Sequence, residues 1–315
     1  MNVCIIGDNL TSLSLAKNLI NKKINIDIYH KKKNFISTAN RTIGMSNDNF
    51  EFYEKEILKI NKNNIWKIKE IEIFSEKLEK KKILKFEEKN KNLFLMVKND
   101  KLYKLLKKSL QKSKYFKKKE VQSSNFYKKI LTQKKYDLVI NCETQNYITR
   151  KYFSKSINKD YNNYAYTTIF EHNLIENNKA VQIFTKLGPI AFLPISNSKT
   201  SVVYSVNRNK VNLNKEKITD LIKKHNPKYL IKKFNKINKF ELKLFSLRNY
   251  YYKNIMAFGD SIHRIHPLAG QGFNMTIRDI KILSEIIQNK IELGMQIDST
   301  ILAEFEKETK SKNFL

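Results

Sequence analysis

The first thirty residues constrain the fold most tightly. In VCIIGDNLTSLSLAKNLINKKINIDIY the apolar run of Val3, Ile5 and Ile6 ends at Gly7. Leu10, Leu13, Ala16, Leu19 and Ile20 then recur at helical spacing, and Ile24, Ile26 and Ile28 alternate at period two. Strand, helix and strand within about 30 residues make a βαβ unit, the start of a nucleotide-binding sheet. The dinucleotide fingerprint G-x-G-x-x-G stands here as Gly7-Asp8-Asn9-Leu10-Thr11-Ser12, with one glycine of three, and His30 occupies the place of the acid that would hold a ribose. Taken alone this motif is weak, and a plain βαβ unit with no ligand accounts for it as well.

Beyond this unit the pattern changes. WKIKEIEIF and ILKFEEKNKNLFLMV alternate as strands of a second sheet; DKLYKLLKKSLQKS resumes helical spacing; KKYDLVINCE reads as another buried strand, Leu138 to Ile140. A second block of strands follows in YAYTTIFEHNL, AVQIFTK, IAFLPIS and TSVVYSV, and after Leu247 the chain returns to a strand, NIMAF, and a long helix. This order predicts an α/β protein in which two domains are woven from discontinuous segments: 1–60, 96–155 and 249–315 in one, 61–95 and 156–248 in a β-rich second.

The formal charge of +31 suggests nucleic acid until its make-up is read. Only six of the 61 basic residues are arginine, the forked donor that reads phosphates and bases. The lysines are mixed with Asn and Ile throughout, as in KINKNNIWKIK, which argues for solvated surfaces and against a nucleic-acid patch. A basic surface still attracts anionic lipid head groups, so peripheral membrane contact is retained. Cys4 and Cys142 are the only cysteines, and no apolar run reaches the roughly 18 residues of a membrane span. MNVCIIGDN meets Gly and Asp before a signal-peptide core can develop. A reducing, cytoplasmic setting is expected, with attachment at most to the inner face of a membrane.

The stretch IMAFGDSIHRIHPLAGQGFNMTIRD, Ile255 to Asp279, holds three of the seven glycines and one of the four prolines. A strand ends at Gly259-Asp260, a loop carries Pro267, Gly270 and Gly272, and helical spacing begins after Asn274 through Ile277, Ile280 and Leu283. Such a loop lets backbone approach a flat or charged ligand, and the helix start offers free N–H groups and a positive dipole end. His263 and His266, three apart, lack the Cys or third His of a metal site, so no metal is expected, and positioning roles are favoured over proton transfer.

GDSIHRIHPLAGQGFNMTIRD resembles the second flavin-binding motif of the class A flavoprotein monooxygenases related to p-hydroxybenzoate hydroxylase, and most of all the branch that hydroxylates an aromatic ring in ubiquinone biosynthesis. Ser261 and Ile262 replace two alanines of that motif. NRTIGMS resembles the segment whose arginine, here Arg41, lies against the flavin. FLMVKNDKLYKLL and AVQIFTKLGPIAFLPIS resemble further family segments, the second most particular to the ubiquinone branch. YDLVINCETQNYITRKYF matches a strand-turn segment with Glu143-Thr144 in place of Asp-Gly and Arg150 on its arginine.

The resemblance implies a Rossmann-like (GR2-type) FAD-binding domain interwoven with a β-sheet substrate domain. It implies FAD as cofactor, NADH or NADPH as a transient co-substrate, and O2 activated as a flavin C4a-hydroperoxide that hydroxylates a polyprenylated phenol. Gly7, Asn9, Ser12, His30, Arg41, Gly259, Asp260, Pro267, Gly270, Gln271, Gly272, Phe273 and Asn274 would line the cofactor; Pro267 and His266 would stand at the reacting ring; Gly188 and Pro189 would shape the wall over the flavin. Partner proteins of a ubiquinone-making complex are implied, as are further helices beyond FEKETKSKNFL. The replaced N-terminal glycines leave a second reading open, a degenerate, weakly flavin-binding scaffold subunit of such a complex.

Overall fold

The computed structural model describes residues 1–31, 41–78, 81–88, 92–121, 125–133, 135–208, 214–264 and 271–313. The chain opens with β1 (Asn2–Ile6), α1 (Leu10–Asn21) and β2 (Asn25–His30), and the two strands run parallel with Val3 opposite Ile26. Val3 to Ile6 are fully buried, covered on both faces, which is why this strand reads as a continuous apolar run.

The chain then leaves that sheet through β3 (Thr42–Ser46), α2 (Asn47–Glu56), β4 (Ile65–Ile68) and the hairpin of β5 (Glu70–Ser75) and β6 (Lys82–Glu87). It returns through β7 (Phe94–Lys98), α3 (Asn99–Gln111), β8 (Phe116–Glu120), α4 (Phe126–Thr132), β9 (Leu138–Asn141) and α5 (Tyr147–Tyr152). A second excursion carries β10 (Ser156–His172), β11 (Lys179–Thr185), β12 (Gly188–Ser196), β13 (Lys199–Asn207), α6 (Lys215–Lys224), β14 (Ile231–Phe234) and β15 (Asn238–Leu247). The last part holds β16 (Tyr251–Tyr252), β17 (Ile255–Ala257), the two-residue β18 (His263–Arg264), α7 (Gln271–Glu292) and α8 (Thr300–Asn313).

Among the described residues these strands form three sheets. A six-stranded sheet runs β16-β17-β9-β1-β2-β8, with β9, β1, β2, β8 and β17 joined in parallel. A nine-stranded sheet runs β18-β15-β10-β13-β12-β11-β5-β6, with β14 beside β10. A small sheet, β3-β7-β4, lies between them in the packing: Thr42 Oγ1 donates to Ser201 Oγ of the large sheet at 3.1 Å, and β3 also meets α7. WKIKEIEIF is therefore split at Lys69, its first half in the small sheet and its second in the large one. The fold is α/β, as its alternating segments predict.

Helix α7 starts at Gln271, ahead of the apolar spacing that announces it. Its first turn is held by polar groups instead. Asn274 Nδ2 donates to Gly44 O at 2.7 Å, its Oδ1 accepts from Ser46 N and Asn49 Nδ2, and Thr276 Oγ1 donates to Gly272 O. From Ile277 the buried face of Ile280, Leu283 and Ile287 packs into the core of the six-stranded sheet.

Candidate functional site

Two places on this scaffold carry the predicted site residues. The first is the mouth between β1 and α1. Gly7 N donates to Tyr29 O at 2.8 Å and places Asp8 and Asn9 at the helix start. Asn9 caps α1: its Oδ1 accepts from Ser12 N at 2.9 Å, while Ser12 Oγ accepts from Asn9 N at 2.9 Å. This reciprocal pair is a capping box, and Ser12 fits it while fully buried. Asn9 Nδ2 also donates to Cys142 O, so its amide is committed on both sides. Asp8 pairs with Lys118 of β8 at 2.5 Å. His30, at the end of β2, meets Lys31 O through Nδ1 at 3.2 Å.

The second place is the strand-to-helix passage after β17. Gly259 opens a single 3-10 turn with φ of 64°, and a Cβ there would stand 2.5 Å from Thr11 Cγ2 of α1. Only glycine permits both the left-handed backbone and this contact, and so the second motif is pressed against the first. Asp260 follows. It touches solvent, yet the protein around it desolvates its carboxyl and raises its pKa above the ordinary carboxylate range, against the pull of Arg264, His263 and Arg41. Arg41 feels the same environment: desolvation lowers its pKa, and the charge of Asp260 partly offsets this. The Arg41 guanidinium stacks 4.3 Å from the centroid of Phe240 on β15. Arg41 and Asp260 are thus electrostatically coupled, with Arg41 resting on the nine-stranded sheet.

The start of α7 opens on the same region, since α7 packs against the 3-10 turn at Gly259. A side chain at Gly272 would meet nothing within 4 Å among the described residues, so there is open space beside the first turn of this helix. Phe273 turns inward, its ring 6.3 Å from that of Tyr53. The amide of Asn274 is spent on Gly44, Ser46 and Asn49, and its carbonyl also accepts from Asn49 Nδ2. His266, Pro267 and Gly270 lie outside the described residues, and so does the side chain of Gln271.

Gly188 and Pro189 open β12. A Cβ on Gly188, whose φ is 142°, would stand 2.2 Å from Ser205 O, so the glycine serves the close approach of β12 to β13. Pro189 pairs with Phe184 on the half-exposed side of the sheet. A cavity of about 420 Å³ lined by Tyr166, Asn214, Ile237 and Lys239 lies beside α6, on the other side of the sheet from Arg41. Among the described residues no three His, Cys, Asp or Glu side chains converge as a metal site requires, and no helix is long and apolar enough to cross a membrane.

The residues present fit a flavin at one end. Open space beside the first turn of a helix, an arginine stacked on Phe240 and an aspartate carboxyl coupled to it are donors and charges that a flat, partly anionic ring system needs. The adenosine end fits less well, because the chain's own side chains satisfy the helix start there. Sequence reasoning missed three participants: Phe240 beneath Arg41, Thr42 bound to Ser201, and Asp279, whose Oδ2 lies 3.2 Å from His263 Nε2. Thr42 and Asp279 lie inside the segments NRTIGMS and GDSIHRIHPLAGQGFNMTIRD, whereas Phe240 left no signal in the sequence.

The sequence model of the family described as "FAD binding domain" matches residues 149–308. A stretch of 169 residues is 28% identical to the mitochondrial ubiquinone biosynthesis monooxygenase COQ6 of Dictyostelium discoideum, covering 42% of this chain and 34% of that protein. Another of 144 residues is 30% identical to 3-demethoxyubiquinol 3-hydroxylase of Escherichia coli, covering 42% and 36%. The chain spans less than half the length of the curated relatives it matches. Among solved structures, Pseudomonas aeruginosa PqsL in complex with 2-aminobenzoylacetate superposes with a TM-score of 0.78 at 14% identity, over 100% of this chain and 93% of that one. The p-nitrophenol 4-monooxygenase PnpA of Pseudomonas putida superposes with 0.74 at 10% identity, over 96% and 82%.

Proposed function

This chain belongs to the FAD binding domain family, and from that premise we propose that it is an FAD-dependent monooxygenase hydroxylating the aromatic ring of a polyprenylated phenol in ubiquinone biosynthesis. The observation that carries this reading is the seam at Arg41. Its guanidinium lies on Phe240 of the large sheet and feels the charge of Asp260 in the second motif, while β3, the strand that follows it, is tied to Asn274 in the first turn of α7.

FAD, when bound, supplies reduction by NADH or NADPH and the activation of O2. The chain's residues then have separate tasks. Backbone N–H groups of the first turn of α7 would hold the polar part of the cofactor, where the helix dipole favours negative charge. Arg41 and Asp260 would hold it from the other side, as cation and as hydrogen-bond acceptor. The sheet face that carries Phe240 orients the phenol and keeps water from the reacting carbon. Pro267 and His266 keep the part the family resemblance implies for them, at the reacting ring. Partner subunits of a quinone-making complex, and contact of the lysine-rich surface with anionic lipid, belong to the same reading.

A second reading draws on a specific observation. The Asn9–Ser12 capping box and the Asp8–Lys118 pair occupy the helix start where a pyrophosphate would lie, which favours a weakly flavin-binding scaffold subunit. Titration with FAD followed by oxygen uptake with a short-chain prenylphenol separates the two. Saturable flavin binding with NAD(P)H oxidation stimulated by the phenol is expected of the enzyme. Failure to take up flavin, with no response to the phenol, would leave the scaffold.

A further inference from the structure

The nine-stranded sheet has two unlike faces. On one, the register aligns Lys85, Glu72, Val181, Phe192, Val202 and Thr168 across successive strands. Val181, Phe192 and Val202 are buried there under Ile218 and Ile222 of α6. One residue along each strand, side chains point to the opposite face. The neighbouring row reads Leu84, Ile73, Gln182, Ala191, Val203 and Thr167, from the edge strand β6 to β10. Among the described residues no helix covers this row. Ile73 to Thr167 are half-exposed and Leu84 is 50% exposed.

The row is bounded on both sides. On one flank Ile71, Leu193 and Ile195 pack against Trp66, Phe94 and Met96 of the small sheet, and Thr42 is bound to Ser201. On the other flank Phe240 lies under Arg41 and Phe184 stands 44% exposed at the outer end. Arg41 and Thr42 are consecutive, so the inner end of the row lies between the two points where the same segment touches the sheet. The outer end runs out over Leu84 and Phe86 of the edge hairpin, both about half exposed. The hairpin's other face is closed by ion pairs of Glu70 and Glu72 with Lys82, Lys85 and Lys179. Ile71, Ile73, Leu84 and Phe86 thus lie on the side that continues the row, while Phe74 packs into the core on the α6 side.

We propose that this row is the seat of the isoprenoid tail of the substrate, with the aromatic ring at Thr167 and Val203 and the tail leaving over Ile73 and Leu84. The inference rests on the phenol-hydroxylase reading above. Five strand spacings of about 4.8 Å give a lane roughly 24 Å long, one residue wide, continuous with the Arg41 seam. A single extended hydrocarbon chain fits this shape, whereas a protein surface or a bilayer needs a broad patch. Gln182 is the polar group midway along it.

The test compares a monoprenyl with a tetraprenyl phenol. Equilibrium dialysis measures binding whether or not turnover occurs, and oxygen uptake gives kcat and KM. The variant Leu84→Gln with Phe86→Gln alters two half-exposed residues. It is expected to weaken binding and raise KM for the long-tailed phenol by about tenfold, the scale for losing contact with one large apolar side chain, while the monoprenyl compound is unaffected. Gln182→Leu is expected to act in the opposite sense, tightening the long tail alone. Dialysis that shows the same tail-length preference in wild type and both variants overturns the proposal. A loss confined to flotation with anionic vesicles, with tail preference unchanged, also overturns it and gives the hairpin to the membrane. If the wild type binds the long tail through this row but hydroxylates neither phenol, the catalytic reading fails and the lane stands.

Discussion

His263 Nε2 lies 3.2 Å from Asp279 Oδ2, and both side chains are buried, His263 on β18 and Asp279 on α7. β18 pairs with β15 of the large sheet, while α7 packs on the six-stranded one. This contact therefore joins the two sheets immediately on either side of the loop before α7. Its geometry is close without hydrogen-bond alignment, and Ser261 Oγ beside it also has no hydrogen-bond partner among the described residues. Removing one member leaves the other buried and alone. Asp279→Ala is expected to destabilise the protein by about 2–4 kcal/mol, seen as a lower urea midpoint at unchanged slope. Replacing both residues by Leu should restore part of the loss, and a double-mutant cycle measures the coupling.

Asp260 gives a prediction whose sign depends on pH. Desolvation raises its folded-state pKa, so ionised Asp260 costs stability above that raised value, and the cost vanishes below the unfolded value of about 3.9. Asp260→Asn should therefore raise the melting temperature at neutral pH. The gain should shrink as pH falls through the raised pKa and be gone near pH 3. The same variant should bind FAD more weakly, a trade of function for stability. A variant equally stable to wild type across this range would mean that the carboxylate is well solvated.

The Asn9–Ser12 capping box makes a prediction at the other end of the cofactor. Asn9→Gly with Ser12→Gly restores the glycine spacing and frees the start of α1. Loss of the cap and a glycine in the first turn should cost about 1 kcal/mol, yet FAD should bind several-fold more tightly. Fluorescence titration checks it. An affinity that falls with stability would show that the side-chain cap supports the site and does not occlude it.

How much of this was legible in the sequence differs from place to place, for physical reasons. The βαβ opening was readable because the continuous run Val3 to Ile6, the Leu10–Ile20 face at period 3.6 and the alternation of Ile24, Ile26 and Ile28 are all local patterns. The loop glycines Gly270 and Gly272 pointed to close approach by a ligand, whereas the close approach of Gly259 to Thr11 is one the sequence did not announce. The partners were not readable. Asn274 binds Gly44 and Ser46, and Arg41 finds Phe240, across some two hundred residues of chain. Pairing at that separation is decided by how the sheets stack, which no local period encodes. WKIKEIEIF looked like one strand because alternation continues through Lys69, where the chain passes from one sheet to another.

Gly188 was expected to shape the wall over the flavin, and its geometry suggests a more basic constraint. At φ of 142° it lies where other residues are strained, and an added Cβ would stand 2.2 Å from Ser205 O, a backbone atom that cannot swing aside. Thr185 Oγ1 accepts from Gly188 N and donates to Gly188 O, and also meets Tyr204 Oη at 3.1 Å, so the turn is pinned on both strands. Gly188→Ala must open the β12–β13 register or bend the turn. A loss of about 2 kcal/mol or more is expected, concentrated in the large sheet. Hydrogen exchange provides the check: amides of β12 and β13 should lose protection while those of β1 and β9 keep it. Uniform loss across both sheets would show that the large sheet and the six-stranded sheet unfold as one unit.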